Sequence, residues 1–134
     1  LALGNMIQVT GTATFLSEVL LDLLDGYSTL VILVSFYIFV SITTNFISNN
    51  ACAVLFAPIA IDIAEKINVD PKVFAIALIF AVNTSFATPL AYQTNLLVMG
   101  PGHYKFIDYI RFGLPLTILC WIVFFITFPM LYDI

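Results

Sequence analysis

Hydrophobic residues in this sequence fall into runs much longer than a soluble core helix needs, and each run is interrupted by polar residues that carry no charge. Residues 26–61 contain no charged side chain, and neither do residues 73–102. As one straight helix the first run would be roughly 54 Å long, nearly twice the hydrocarbon thickness. Two full spans would need a polar turn outside the membrane. The polar break Ser48-Asn49-Asn50 leaves about 22 residues before it and about 11 after it, and the second piece is too short to cross. A re-entrant hairpin over residues 27–64, with its tip at 48–50 buried in protein, resolves the conflict, because irregular backbone is allowed at depth where it lines a cavity. Pro58 is expected to kink its second arm.

The remaining segments follow from the same pattern. Residues 1–26 read as a membrane helix or its end, with Leu16, Val19, Leu20, Leu23 and Leu24 at helical spacing and Gly26 as a stop. Residues 62–72 are the most charged stretch and read as an aqueous loop, with Asp70-Pro71 a helix start. Residues 71–100 are long enough to span but are interrupted by Asn83-Thr84-Ser85 and Thr88-Pro89, which predicts a discontinuous helix. Gly100-Pro101-Gly102 closes it in a turn. Residues 103–112 form a short amphipathic stretch expected along the membrane surface, and residues 113–132 a final uncharged span. The fold class is therefore an all-α polytopic membrane protein, located in the cell membrane. The stretch with Lys105, Asp108 and Arg111 is net positive and the 62–72 loop net negative, so the positive-inside rule places the former in the cytoplasm and the C-terminus outside.

Composition narrows the classes further. Apolar residues make up 62% of the 134 and charged residues 9%, which leaves too little polar surface for a soluble globule. Net charge is −4 with four basic residues, so no polybasic nucleic-acid surface exists. Cys52 and Cys120 lack metal-ligand spacing and read as small buried hydrophobes. No Ser-His-Asp, Cys-His or paired-carboxylate arrangement is present, so no enzyme is expected. His103, Asp62 and Glu65 read as solvated, and Trp121, Phe124, Phe125 and Phe128 as packing against lipid or scaffold. The opening Leu-Ala-Leu-Gly has neither Met nor a basic n-region, and we read the chain as the C-terminal portion of a longer protein.

The uncharged polar clusters, 43–50 on one side and 83–85 with 92–95 on the other, carry the chemistry. Amides, hydroxyls and carbonyls at membrane depth cost several kcal/mol each unless bonded. Ser and Thr commonly bond back to their own helices, and a lone Asn often only joins two helices. Two clusters beside a hairpin tip and a helix break point instead to a shared ligand site. Helix C-terminal carbonyls there attract cations and N-terminal amides attract anions. Neither cluster holds an acidic residue, which favours Na⁺ held by neutral oxygens over a proton-coupled carrier.

The motif Thr44-x-x-x-Ser48-Asn49-Asn50-Ala51, followed by Pro58-Ile59, resembles the second Ser-Asn-Thr signature of the divalent anion:sodium symporter family. Ala91-Tyr92-Gln93-Thr94-Asn95-Leu96-Leu97-Val98-Met99-Gly100 resembles that family's Ala-Thr-Pro-Pro-Asn-Ala-Ile-Val-Phe-Gly break, and Lys105-Phe106-x-Asp108-Tyr109 and Gly113-Leu114-Pro115-Leu116 match its downstream pattern. The resemblance implies one of two inverted repeats of an elevator-type transporter. It also implies sodium at the Thr44 hydroxyl, the Asn49 side chain and the carbonyls of Ile47 and Ala91. By the same resemblance an anion substrate touches Ser48, Asn49, Asn50, Tyr92 and Gln93. The complete protein would pair this part with an N-terminal half and form a homodimer, and this part alone would transport nothing.

Two departures bear on the substrate. Asn50 stands where the signature has Thr, and Tyr92-Gln93-Thr94 where it has Thr-Pro-Pro. The Tyr-Gln-Thr-Asn form resembles members with potassium-transport-type regulatory domains, some associated with sulfate, so the reading leans toward a sulfate-like oxyanion over a dicarboxylate. The competing functions are a Na⁺/H⁺ antiporter or arsenite exporter of the wider superfamily, and a non-transporting membrane assembly subunit.

Overall fold

A computed structural model describes residues 9–24 and 26–132. Among these, the chain forms six helices: α1 (Thr12–Leu23), α2 (Thr29–Thr43), α3 (Asn49–Lys66), α4 (Pro71–Val82), α5 (Gln93–Met99) and α6 (Phe106–Tyr132). The described residues form no strand. Of the helix or helix end expected over residues 1–26, positions 1–8 and 25 lie outside the described residues, and α1 takes up Thr12–Leu23.

The core forms where α2, α3 and α4 pack together. On α2 the buried positions are Ile32, Leu33, Phe36, Tyr37, Val40 and Ser41, one face of an otherwise apolar helix. On α4 Val73, Phe74, Ala77, Leu78, Ala81 and Val82 follow the same spacing. Small residues at Ala60 and Ala64 of α3 and at Ala77 and Ala81 of α4 allow close packing without large side chains intervening. Phe36 sits at the centre, edge-on to Phe56 at 6.4 Å and tilted against Phe74 at 5.8 Å. Helix α6 joins this core through Phe124, which stacks on Tyr37 at 3.9 Å, and through Phe128.

Helix α3 runs one turn further than the sequence suggests. Its last residues, Asp62 to Lys66, are helical, which corrects the expected aqueous loop over 62–72 to a connection at 67–70. The stop is built locally. Asn68 takes a left-handed φ of 55°, its amide bonds the Glu65 carbonyl at 3.2 Å, and the Val69 amide reaches the Ala64 carbonyl at 2.9 Å. That pair of bonds is a Schellman cap, with Asn in place of the usual Gly. Pro58 lies inside α3, which continues through it as a single helix. Two residues after the cap, Asp70 starts α4 by accepting the Lys72 amide at 2.9 Å, with Pro71 at the first helical position.

Asp62, read from the sequence as a solvated charge, is partly exposed and paired. Lys66 lies 3.0 Å from Asp62 and 3.3 Å from Glu18 of α1, and donates to the Ser17 hydroxyl at 3.0 Å. Ser17 is buried and its hydroxyl donates to Asp62. Burial pushes the Asp62 carboxyl up, but the hydrogen bonds from Ser17 and Lys66 and the Lys66 charge outweigh it and hold the carboxyl below its ordinary value. Desolvation lowers Lys66, and its two acidic partners more than reverse this, so its ammonium is held above the ordinary value. The cluster is the polar seam between α1 and α3.

Residues 103–112 and 113–132, expected as an interfacial helix and a separate final span, instead share one continuous helix from Phe106. Asp108 at its third position reaches back to the Lys105 amide at 2.8 Å, half of a capping box, so the helix starts after the turn at His103 rather than within it. Gly113 does not end it. Helix α6 crosses the segment Phe86-Ala87 at that glycine, so the residue serves packing. Among the described residues α6 is the one helix long and apolar enough to cross a membrane, and most of its surface, including Leu114, Ile118, Ile122, Val123 and Phe125, is exposed.

Candidate functional site

The chain leaves regular α-helix after Thr43. Asn45 and Phe46 make tight three-residue bonds to Ile42 and Thr43, and α3 begins again at Asn49. Ser48 caps the new helix through its hydroxyl, which accepts the Ala51 amide at 3.4 Å and keeps its own proton available to another acceptor. The return from α2 to α3 thus occupies residues 44–48.

At this turn the Thr44 hydroxyl is fully buried and lies 2.9 Å from Asn49 Oδ1 and 3.1 Å from the Val82 carbonyl oxygen. One hydroxyl proton serves both acceptors. Three neutral oxygens from the end of α2, the start of α3 and the end of α4 therefore converge. Such a set suits a hard monovalent cation: if the hydroxyl turned its proton away, all three oxygens would present lone pairs. Of the four expected sodium ligands, the structure brings Thr44 and Asn49 into contact. Ala91 is buried within the break and Ile47 is exposed at the turn. Sequence reasoning did not find Val82, because an apolar side chain gives no sign of what its carbonyl does.

The break in the second segment spans residues 83–92, between α4 and α5. Pro89 is fully buried inside it. Tyr92 takes an extended backbone ahead of α5 and is 50% exposed, and Gln93 is also exposed. Among the described residues no hydrogen bond joins Ser48, Asn49 or Asn50 to Tyr92 or Gln93. The two helix starts share a different property. The amides of Asn49 and Asn50, and those of Gln93 and Thr94, find no acceptor among the described residues. Those groups, with the exposed side chain of Asn50, are donors suited to an anion.

A buried polar chain ties the turn, the break and α6 together. The Trp121 indole donates to Ser41 Oγ at 2.8 Å, Ser41 Oγ lies 2.6 Å from Thr84 Oγ1, and Thr84 donates to the Ala81 carbonyl at 2.6 Å. Trp121, expected only to pack, is therefore also a donor into the core. Asn95 Nδ2 reaches the Ser85 and Thr88 carbonyls at 3.1 and 3.3 Å, and the Tyr109 hydroxyl donates to the Asn95 carbonyl at 2.7 Å. These bonds are the packing role that the clusters could have had. They absorb Thr84 and Asn95 and, among the described residues, leave the side chains of Asn50, Tyr92 and Gln93 without such a bond. Among the described residues no group of three or more His, Cys, Asp or Glu is placed to hold a metal ion.

Comparison with known proteins identifies the family. Residues 1–133 match the family model described as the sodium:sulfate symporter transmembrane region. An uncharacterized transporter of Synechocystis is 38% identical over 87% of this chain and 19% of its own length. An uncharacterized transporter of Escherichia coli is 36% identical over 94% of this chain and 21% of its own. The sodium-dependent dicarboxylate transporter SdcS of Staphylococcus saprophyticus is 30% identical over 98% of this chain and 26% of its own, and sodium/sulfate cotransporter 1 of Chlamydomonas reinhardtii is 26% identical over 87% and 13%. The chain thus spans about a fifth of the length of the first two relatives. It belongs to the family of the sodium:sulfate symporter transmembrane region.

Proposed function

We propose that the complete protein containing this chain is a Na⁺-coupled symporter of a sulfate-like divalent oxyanion in the cell membrane, working as a homodimer with an elevator motion. The observation that carries the reading is the convergence of Thr44 Oγ1, Asn49 Oδ1 and the Val82 carbonyl beside the amides that open α3, which find no acceptor among the described residues. A sodium ion on those oxygens, joined by the carbonyls of Ile47 and Ala91, adds positive charge next to Ser48, Asn49 and Asn50. A dianion gains from that charge, and from donors at Tyr92 and Gln93, only while the cation is bound. That mutual dependence is the coupling.

Asn50 and Gln93 offer amide donors to tetrahedral oxygens. A dicarboxylate is the second reading, favoured by the 30% identity to SdcS over nearly the whole chain. Uptake of radiolabelled sulfate into proteoliposomes holding the complete protein, with Na⁺ exchanged for choline, tests both. Na⁺-dependent uptake inhibited by thiosulfate and molybdate supports the oxyanion. Inhibition by succinate alone transfers the assignment to dicarboxylates, and uptake indifferent to Na⁺ removes the symport reading.

A further inference from the structure

Asn45 differs from its neighbours in the turn because every polar group it owns except its main-chain N–H, which bonds the Ile42 carbonyl, reaches the break. Its side chain is 5% exposed. Nδ2 donates to the Ser41 carbonyl at 2.7 Å and to the Thr84 carbonyl at 3.3 Å, while Oδ1 accepts the Ala87 amide at 2.9 Å. Its main-chain carbonyl accepts the Thr88 hydroxyl. Three points of the break, Thr84, Ala87 and Thr88, are thus fastened to one residue of the hairpin turn. Asn45 is adjacent to Thr44, and Thr84 follows two residues after Val82, whose carbonyl meets the Thr44 hydroxyl. From the opposite side α6 presses on the same segment at Gly113, where a Cβ would lie 2.0 Å from the Phe86 carbonyl oxygen.

We propose that Asn45, with Thr88, is a positioning residue for the cation site: it sets the distance between the α4 carbonyl end and the Thr44–Asn49 pair without touching the ion. The inference rests on the sodium-site reading above. A converging oxygen set works only when its members are held to within about 0.5 Å, and among the described residues no other bridges the turn to the break at three points. Loosening the fastening should weaken sodium more than the anion, since the anion donors at Asn50 and Gln93 lie outside it.

The test uses the complete transporter in proteoliposomes, titrating Na⁺ at saturating sulfate for Asn45→Ala, Thr88→Val, Thr88→Ser and Asn49→Ala. Loss of a buried hydrogen bond to the break should raise half-saturating Na⁺ about tenfold in Asn45→Ala and about threefold to tenfold in Thr88→Val, with the maximal rate recovered at high Na⁺. Thr88→Ser keeps the hydroxyl and should restore the original Na⁺ dependence. If Asn45→Ala does not fold, the Thr88 pair decides by the same criterion. A lowered melting temperature in Thr88→Val with Na⁺ dependence unchanged makes the fastening structural only and overturns the proposal. Asn49→Ala separates the two levels. Unaltered Na⁺ dependence there overturns the sodium site itself, whereas its loss alongside a normal Thr88→Val overturns only the positioning role.

Discussion

A methyl group at Gly113 would lie 2.0 Å from the Phe86 carbonyl oxygen, 2.4 Å from its carbon and 2.9 Å from the Ala87 Cα. All three are backbone atoms, so no side-chain rotation relieves the contact. Ordinary contact begins near 3.4 Å, and Gly113→Ala must therefore move α6 and the break apart by more than about 1 Å. Because α6 bears on the break from the side opposite Asn45, the displacement drives Phe86-Ala87 toward the turn and distorts the Asn45 bonds to Thr84 and Ala87, which span 3.3 and 2.9 Å. Overpacking of this kind costs about 1–3 kcal/mol of stability. Its larger effect falls on the site, because misplacing ligating or substrate-positioning groups by about 1 Å lowers turnover roughly 10²-fold. Sulfate uptake by the complete transporter, normalised to reconstituted protein, should fall by that order, and its melting temperature should fall as well. Gly100→Ala is the control, because its Cβ meets nothing within 4 Å. A Gly113→Ala protein with the original rate and melting temperature would refute the claim that α6 bears on the break.

Three further outcomes follow from other contacts. Asp62 is held below its ordinary value of 3.8 and Lys66 above its ordinary 10.5, so the stabilisation of the α1–α3 seam is complete between those limits. It is lost as pH falls from 3.8 through the lower folded value of Asp62, or rises from 10.5 through the higher folded value of Lys66; hydrogen exchange in α1 should show the acid limb, and Asp62→Asn should remove that limb. Trp121→Phe deletes the donor to Ser41 and should cost about 1 kcal/mol of stability, read as a lower melting temperature with Na⁺ dependence and anion preference unchanged. Asn50→Thr exchanges an amide for a hydroxyl at the start of α3 and should change the sulfate-to-succinate inhibition ratio while leaving half-saturating Na⁺ within about twofold.

The interruptions of regular helix were legible because each is marked by residues whose local chemistry decides the backbone. Ser48 caps α3, Pro71 opens α4, and Pro89 sits in the break. Helix ends carried by charge were less legible. Asp62, Glu65 and Lys66 look like an aqueous loop by composition, yet α1 supplies Ser17 and Glu18 to pair two of them, so the helix continues. Phe112 and Gly113 looked like a boundary, but the glycine answers to a contact with Phe86 and Ala87, far away in sequence. The same limit applies to the site. Thr44 and Asn49 were legible as a motif on neighbouring turns. The Val82 carbonyl, the Asn45 fastening and the Trp121–Ser41 bond join residues 38 to 80 positions apart, and no periodicity reports them.

Replacing Thr44 with valine removes one hydroxyl oxygen and keeps the side-chain shape at the point where α2, α3 and α4 meet. Na⁺ titration of sulfate uptake by the complete Thr44→Val transporter, set against the original protein, bears most directly on the cation site. The account predicts a half-saturating Na⁺ concentration raised by about tenfold or more. Superimposable titration curves would contradict it.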